Sequence, residues 1–346
     1  MAYRKSKGKA RRSKKIEPAV MRMTFSIPTD STGAATTQYL DLSLAASIAN
    51  RRFYPQGINW AVAGIKLTAK GTGSVRTSKV PTTWSASNAW EKSFRMWQKM
   101  NDQVLDDEPS IQGRYHDFKV YADATMVGAA VQQAGFTGLG PFVLTPVDSA
   151  GALTQGDYTG AVSPRADWEY SKIQIPNDPT TGLTDEHFMH FVGPEIANVS
   201  VGLIEGYARS RSRPQTSDPN VPLGEGWMNE LFDLGENNEE IRDDLVDDND
   251  RPPYAVKDSL STGEFYPGGS QEFPNLQYVE FSEFTATTVS ATNHVAGGQF
   301  PCGLIRFDID NDATTGGGTG FQNLLIQVDL VPGHHRGYLC EPMTEM

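Results

Sequence analysis

Several ingredients are scarce or missing in this sequence, and each absence excludes something. Cysteine occurs twice in 346 residues, at Cys302 and Cys340. Two cysteines are too few for a disulfide scaffold and lack the spacing of a zinc site, so two free thiols in a reducing compartment are expected. No apolar run approaches the roughly 20 residues of a membrane-crossing helix. The N-terminal charges have no apolar segment behind them, so no secretory signal is expected. Strands do not alternate with helices, which argues against a parallel α/β sheet. GxSxG, Walker, HExxH and dinucleotide-binding motifs are all absent, and no Cys/His/Asp arrangement follows from linear spacing. Neither an enzyme nor a cofactor is therefore expected.

Acidic side chains are missing from one stretch altogether. MAYRKSKGKARRSKK carries eight cations, Arg4, Lys5, Lys7, Lys9, Arg11, Arg12, Lys14 and Lys15, and no anion. Such a segment buries too little apolar surface to offset the entropy of ordering it. The rest of the chain has the opposite balance. Of 30 Lys+Arg and 42 Asp+Glu, 22 and 42 lie outside the arm, a balance of −20. A polycationic arm on an acidic body binds polyanions through the arm while the body repels them. A nuclear-localisation signal has the same composition, and one arm can serve both purposes.

What is present reads mainly as β-structure, with 33 Gly and 21 Pro supplying turns between short strands. Met21, Met23, Phe25 and Ile27 alternate with polar residues, as in a half-buried strand ending at Pro28. QYLDLSLAASIANRRFYPQG reads as a strand end and one or two helical turns capped by Ser43. WAVAGIKLTAK and SVRTSKV are two strands joined by GTG, the clearest hairpin in the chain. One long helix is expected around Asn88 to Lys99. Asn88 and Glu91 have capping-box spacing, and Trp90, Phe94 and Trp97 form one core-facing stripe. Strands are further expected at RYHDFKVYADA (Phe118, Val120 and Ala122 on one face), Trp168–Ile175, His187–Val192 and Ala197–Arg209. Three more follow at Tyr278–Val289, Leu304–Ile309 and Leu324–Leu330. Residues 123–164 read as long loops and 210–275 as an irregular excursion. Within the latter, residues 229–250 hold ten carboxylates and one base, Arg242, as in a charged surface loop. Roughly eight to ten strands with one clear helix fit an antiparallel two-sheet sandwich, and the jelly roll is the eight-stranded form.

A few clusters invite a chemical reading. Asp308, Asp310 and Asp312 alternate as at the start of an EF-hand, but Ala313 and Thr319 occupy the required Gly and Glu places, which rejects that motif. Another calcium site at a strand end stays open, beside the plainer reading of a solvated acidic turn. His187 and His190 lack a third ligand set by spacing. His334 and His335 stand beside Arg336, where phosphate or a neighbouring chain could meet them. Arg209, Arg211 and Arg213 form a second basic cluster that fits either nucleic acid or the acidic loop.

These features together resemble a family. An N-terminal Arg/Lys arm, a β-rich acidic body and no catalytic motif look like capsid proteins of small icosahedral viruses. YLDLSLAASIANRRFYPQGINWAVAGIKL, VPTTWSASNAWEKSFRMWQKM and LFDLGENNEEIRDDLVDDNDRPPY resemble capsid proteins of circular Rep-encoding single-stranded DNA (CRESS-DNA) viruses. The resemblance implies a basic arm (residues 1–18) and one jelly-roll shell domain (residues 19–346). It implies self-assembly into a closed shell, an arm turned onto a single-stranded genome, and passage through the host nucleus before residence in the virion. The implied partners are further copies of the chain and single-stranded nucleic acid, DNA rather than RNA, with no membrane. Residues 229–250 are a departure from the family and are expected on the exterior or at a subunit boundary. The competing expectation is a nuclear β-sandwich binding module with a basic localisation tail.

Overall fold

The computed structural model describes residues 19–28, 36–107, 117–127, 168, 170–176, 184–196, 199–211, 275–285, 291–310, 320 and 323–346. The basic arm, most of residues 123–164, the acidic segment 229–250 and Asp312 lie outside these. Most of the described structure is β-strand.

Two antiparallel sheets dominate. The first is built around β1 (Arg22–Pro28), β3 (Ile58–Ala69), β10 (Thr292–Pro301) and β12 (Asn323–Leu330), in the order β1-β12-β3-β10. The second contains β2 (Thr36–Asp41), β4 (Gly73–Lys79), β9 (Gln277–Phe284) and β11 (Leu304–Asp310), in the order β2-β11-β4-β9. The alternation read from sequence explains their facing. Met23, Phe25 and Ile27 of β1 are buried, as are Leu324, Ile326, Val328 and Leu330 of β12. Because side chains alternate faces along a strand, each sheet turns one apolar face inward. One cluster draws on both sheets: Phe25, Trp60, Ile65 and Ile326 from the first, and Leu40, Val75, Phe284 and Phe307 from the second.

The hairpin expected across GTG does not form. β3 pairs with β10 and β12, whereas β4 pairs with β9 and β11. The glycines, with Gly71 at φ 121°, carry the chain from one sheet to the other instead of folding it back. The connection between β10 and β11 does the same through Cys302 and Gly303, both left-handed. There the backbone carbonyl of Gly303 accepts from Leu42 N at 2.9 Å. A Cβ on Gly303 would lie 2.8 Å from Leu42 Cβ and 2.9 Å from Trp60 Cδ1. Gly303→Ala is therefore expected to cost about 2–4 kcal/mol, from overpacking and backbone strain together, measured by denaturant unfolding.

A third, smaller sheet was not foreseen, and it is mixed. β5 (Tyr121–Asp123) and β8 (Ser200–Gly202) run parallel to β7 (Thr184–Val192), while β6 (Lys172–Pro176) is antiparallel to it. Among the described residues of the RYHDFKVYADA stretch only Tyr121–Asp123 is strand, and residues 118–122 are all buried, so no single face alternates. Beside this sheet lie α2 (Trp84–Asp107) and α3 (Leu203–Arg211). α2 begins four residues before Asn88, which is exposed within the helix. Thr83 caps it, its hydroxyl accepting from Ala86 N at 3.4 Å. The Trp90, Phe94 and Trp97 stripe is packing as expected: Trp90 and Phe94 stack at 5.0 Å, and Phe118 meets all three rings. The strand expected over Ala197–Arg209 shrinks to β8. Leu203, Ile204 and Tyr207 then take helical spacing against the second core.

The C-terminal part closes on the first sheet. β13 (Pro332–Gly333) and β14 (Gly337–Tyr338) pair with each other, and β15 (Cys340–Pro342) pairs with the start of β3. Both cysteines are free, Cys302 buried and Cys340 half-buried. No helix among the described residues is long and apolar enough to cross a membrane.

Candidate nucleic-acid interface

Arg4, Lys5, Lys7, Lys9, Arg11, Arg12, Lys14 and Lys15 lie outside the described residues. What the structure does describe is the place where their segment joins the body. Val20 N donates to Asn50 Oδ1 at 2.9 Å, and Tyr338 Oη donates to the Val20 carbonyl at 2.7 Å. Asn50 Nδ2 in turn donates to Tyr338 Oη at 2.7 Å, closing a ring of three hydrogen bonds. One residue further on, Leu330 N donates to the Met21 carbonyl at 2.8 Å. Asn50 ends α1 (Leu42–Asn50) and Tyr338 belongs to β14. The Tyr338 ring packs 5.5 Å from Tyr54 and 5.3 Å from Trp60, and burial pushes its phenol up to about 12. It therefore stays a neutral donor at physiological pH.

Cationic residues flank Asn50 and Tyr338, the two residues that hold Val20. Arg51 and Arg52 follow Asn50 directly and are exposed. The Arg336 guanidinium donates to the Phe53 carbonyl and lies 6.0 Å from the Tyr54 ring, while Tyr54 Oη donates to the Arg336 carbonyl at 3.1 Å. His334 is exposed, and the neighbouring His335 is held below the usual histidine range by burial first and by Arg336 second. Arg51 and Arg336 both hold left-handed backbone, at φ 53° and 50°. For a side chain with a Cβ that conformation costs on the order of 1 kcal/mol, and glycine or asparagine is the usual occupant. Together Arg51, Arg52 and Arg336 make a collar of the arm's own sign. Guanidinium groups can neutralise phosphate without reading bases.

α1 is oriented from its other end by a buried carboxylate. The helix cap is Asp41, not Ser43: Asp41 Oδ1 accepts from Ser43 N at 2.9 Å and Leu44 N at 3.2 Å. Its Oδ2 accepts from Gln56 Nε2 at 3.1 Å, Trp168 Nε1 at 3.2 Å and Tyr170 Oη at 3.4 Å. Gln56 also pairs both ways with the backbone of Val120, its Oε1 accepting from Val120 N at 2.6 Å and its Nε2 donating to the carbonyl at 3.0 Å. Asp41 is fully buried. Burial pushes its carboxyl up, the hydrogen bonds pull it back, and the balance leaves it at about 6. This centre joins the second sheet, α1 and the strand region near Val120 in one polar knot.

The remaining sequence candidates do not converge. Asp308 Oδ1 accepts from Thr37 Oγ1 at 2.9 Å and from Arg306 Nε at 2.8 Å, so it is tied into an ion pair. Asp310 is the exposed end of β11. His187 and His190 are both buried on β7, three residues apart, and strand geometry points them to opposite faces. Among the described residues no group of three His, Cys, Asp or Glu could hold a metal. Arg209 and Arg211 fall in the last turn of α3, and Arg213 lies outside the described residues. Sequence reasoning missed the collar, although the Arg51–Arg52 doublet just after an apolar helix was the available signal. No protein family, curated protein or solved structure matches the chain.

Proposed function

We propose that this chain is the shell subunit of a small icosahedral virus, resembling those of CRESS-DNA viruses, and that it packages single-stranded nucleic acid through its basic N-terminal arm. The strand order of the two large sheets carries the reading. When the eight strands named for them are numbered in chain order, one sheet runs 1-8-3-6 and the other 2-7-4-5. First pairs with last, second with seventh, third with sixth and fourth with fifth. A long antiparallel hairpin rolled up sideways has this order, and it supports a single jelly-roll sandwich. Such a wedge can bury its sides against identical copies in a closed symmetric array.

The charge arrangement supports the same reading. A polycation attached at a collar of Arg51, Arg52 and Arg336, on a body of balance −20, confines phosphate to one end of the subunit. The genome class follows from the resemblance: DNA, assembled in the host nucleus and carried in the virion. Purified protein examined by size-exclusion chromatography and negative-stain electron microscopy is expected to give closed megadalton particles. A monomer or dimer at all salt concentrations, with or without single-stranded DNA, would favour the nuclear binding module instead.

A further inference from the structure

We propose that the solvent-facing side of the second sheet is a binding site for a neutral saccharide, with Tyr278 and Phe281 as its stacking platform. This assignment does not depend on the shell reading.

The decisive feature is a bulge in β9. Tyr278 and Phe281 are three residues apart, and a regular strand would point them to opposite faces. Thr77 of β4 pairs with Glu280 and Ser78 with Tyr278, which leaves Val279 as an extra residue. Phe281 then stands opposite Arg76 and Tyr278 opposite Ser78, two positions apart on β4 and hence on one face. Bulges re-aim side chains and gather beside functional sites. Here the result is two aromatic rings turned to water, 56% and 47% exposed, while Ser282 and Phe284 face the core. Leaving both rings in solvent forfeits burial that the same strand achieves at Phe284.

The rings border a groove of about 670 Å³, lined also by Arg76, Ser78, Asn275, Arg306 and Asp308. Its charges cancel. The Arg306 guanidinium donates to Asp308 Oδ1 at 2.8 Å and to Asp123 Oδ2 at 2.6 Å. Arg76 is exposed and forms no ion pair among the described residues. Arg306 is thus offset by Asp308 and, from behind the groove lining, by buried Asp123, while Asp310 and Glu283 add negative charge one row further along the same face as Arg76. A polyanion meets repulsion there, and a cation meets two arginines. A neutral ring fits: its apolar C–H face stacks on an aromatic side chain, and its vicinal hydroxyls find adjacent donors and acceptors. Arg76 and the Asn275 amide supply donors, and Asp308 Oδ2 and the Asn275 carbonyl accept. Such sites bind weakly as single contacts, with a Kd in the millimolar range, and gain strength when many copies act together.

The test uses the intact protein and methyl glycosides of glucose, galactose, mannose and N-acetylglucosamine, read by saturation-transfer NMR. At least one glycoside is expected to receive saturation on its ring C–H protons. Its affinity is expected to fall about tenfold or more in Tyr278→Ala/Phe281→Ala, to fall in Arg76→Gln, and to persist in Tyr278→Phe, where the ring is kept. All three positions carry exposed or groove-lining side chains, and unchanged circular dichroism and melting serve as the folding control. No transfer to any glycoside at about 10 mM, or transfer undiminished in the double variant, overturns the proposal. Oligo(dT) binding that survives neutralisation of the arm and is lost in the double variant overturns it in favour of base stacking. Assembly lost in the double variant with every glycoside silent overturns it in favour of a contact between copies.

Discussion

Without residues 1–15 the protein is expected to keep its fold and to lose nucleic-acid binding almost entirely. The arm contributes two side chains larger than alanine that are apolar, Met1 and Tyr3, so its removal takes little from either core. Binding loses eight cations from a body that is otherwise −20. At physiological salt the affinity for an unstructured oligonucleotide should drop by at least roughly a hundredfold. The intact protein should show log K falling with log salt at a slope of about −5.6 if all eight cations engage single-strand phosphates, and little dependence on base sequence. Replacing the eight by Gln should mimic deletion, whereas exchanging Lys for Arg should change little, because charge and not bidentate readout does the binding. Fluorescence anisotropy at several salt concentrations measures all of this. Replacing Arg51 and Arg52 with Gln should remove a smaller part of the slope, about 0.7 for each phosphate that is no longer neutralised. Equal affinity with and without the arm would sink the packaging proposal.

The largest effect on stability is expected at Asp41. Asp41→Ala removes the cap of α1 and leaves Gln56, Trp168 and Tyr170 aimed at an empty buried site. A lost cap costs about 1 kcal/mol and each orphaned buried donor about 1–3 kcal/mol, so a total of about 4 kcal/mol or more is expected in denaturant unfolding. The pH dependence has a definite sign. The folded-state carboxyl titrates at about 6, above its ordinary value, so the native state binds this proton more tightly than the unfolded chain. Its contribution to stability is fully present below the ordinary carboxylate range and is lost as pH rises through about 6, by on the order of 3 kcal/mol. His190 and His335 act in the opposite direction. Burial holds both below the usual histidine range, so their contribution is lost as pH falls through the ordinary histidine value. Subtracting the pH profile of Asp41→Asn from that of the parent protein isolates the carboxyl. A difference that does not change between pH 4 and 7 would refute the assignment.

The parts legible in the sequence were those governed by local periodicity. Met23-Phe25-Ile27 and Leu324-Ile326-Val328-Leu330 alternate because one face of each strand meets the core, and that pattern survives without knowledge of partners. The Trp90-Phe94-Trp97 stripe was legible for the same reason. Pairing was not, because it depends on contacts hundreds of residues apart. GTG between two strands looks alike whether the chain turns back or crosses to another sheet, and only β10 and β12 beside β3 decide it. β10 itself was missed: its exposed residues are His294, Ala296, Gly297, Gly298 and Gln299, and glycine inside a strand mimics a loop. Asp41 lay in plain view before an apolar helix, but Ser43 offered an equally good cap by composition. Its burial, and the donors from Gln56, Trp168 and Tyr170, come from segments 15 to 129 residues away. The collar was half legible. Arg51 and Arg52 are adjacent in sequence, whereas Arg336 lies near them through its contacts with Phe53 and Tyr54, from a segment more than 280 residues away.

The pairing of β1 with β12 also sets a timetable for biosynthesis. Arg22 and Asp329 face each other across 307 positions of sequence, and among the described residues β1 has no other strand beside it. At ordinary translation rates of about 5–20 residues per second, roughly 15–60 s pass between the emergence of the two strands from the ribosome. Throughout that interval β1 has no strand to pair with, and the first sheet lacks its second member. Contacts this far apart also make folding slow. The nascent chain therefore carries a complete cationic arm long before it carries a finished body, and on the proposed function nucleic acid would meet the arm while the chain is still on the ribosome. A polypeptide stopped short of residue 323 would keep the arm and lack the strand that pairs with β1; if the chain is the shell subunit proposed above, such fragments would compete for the genome rather than build a shell.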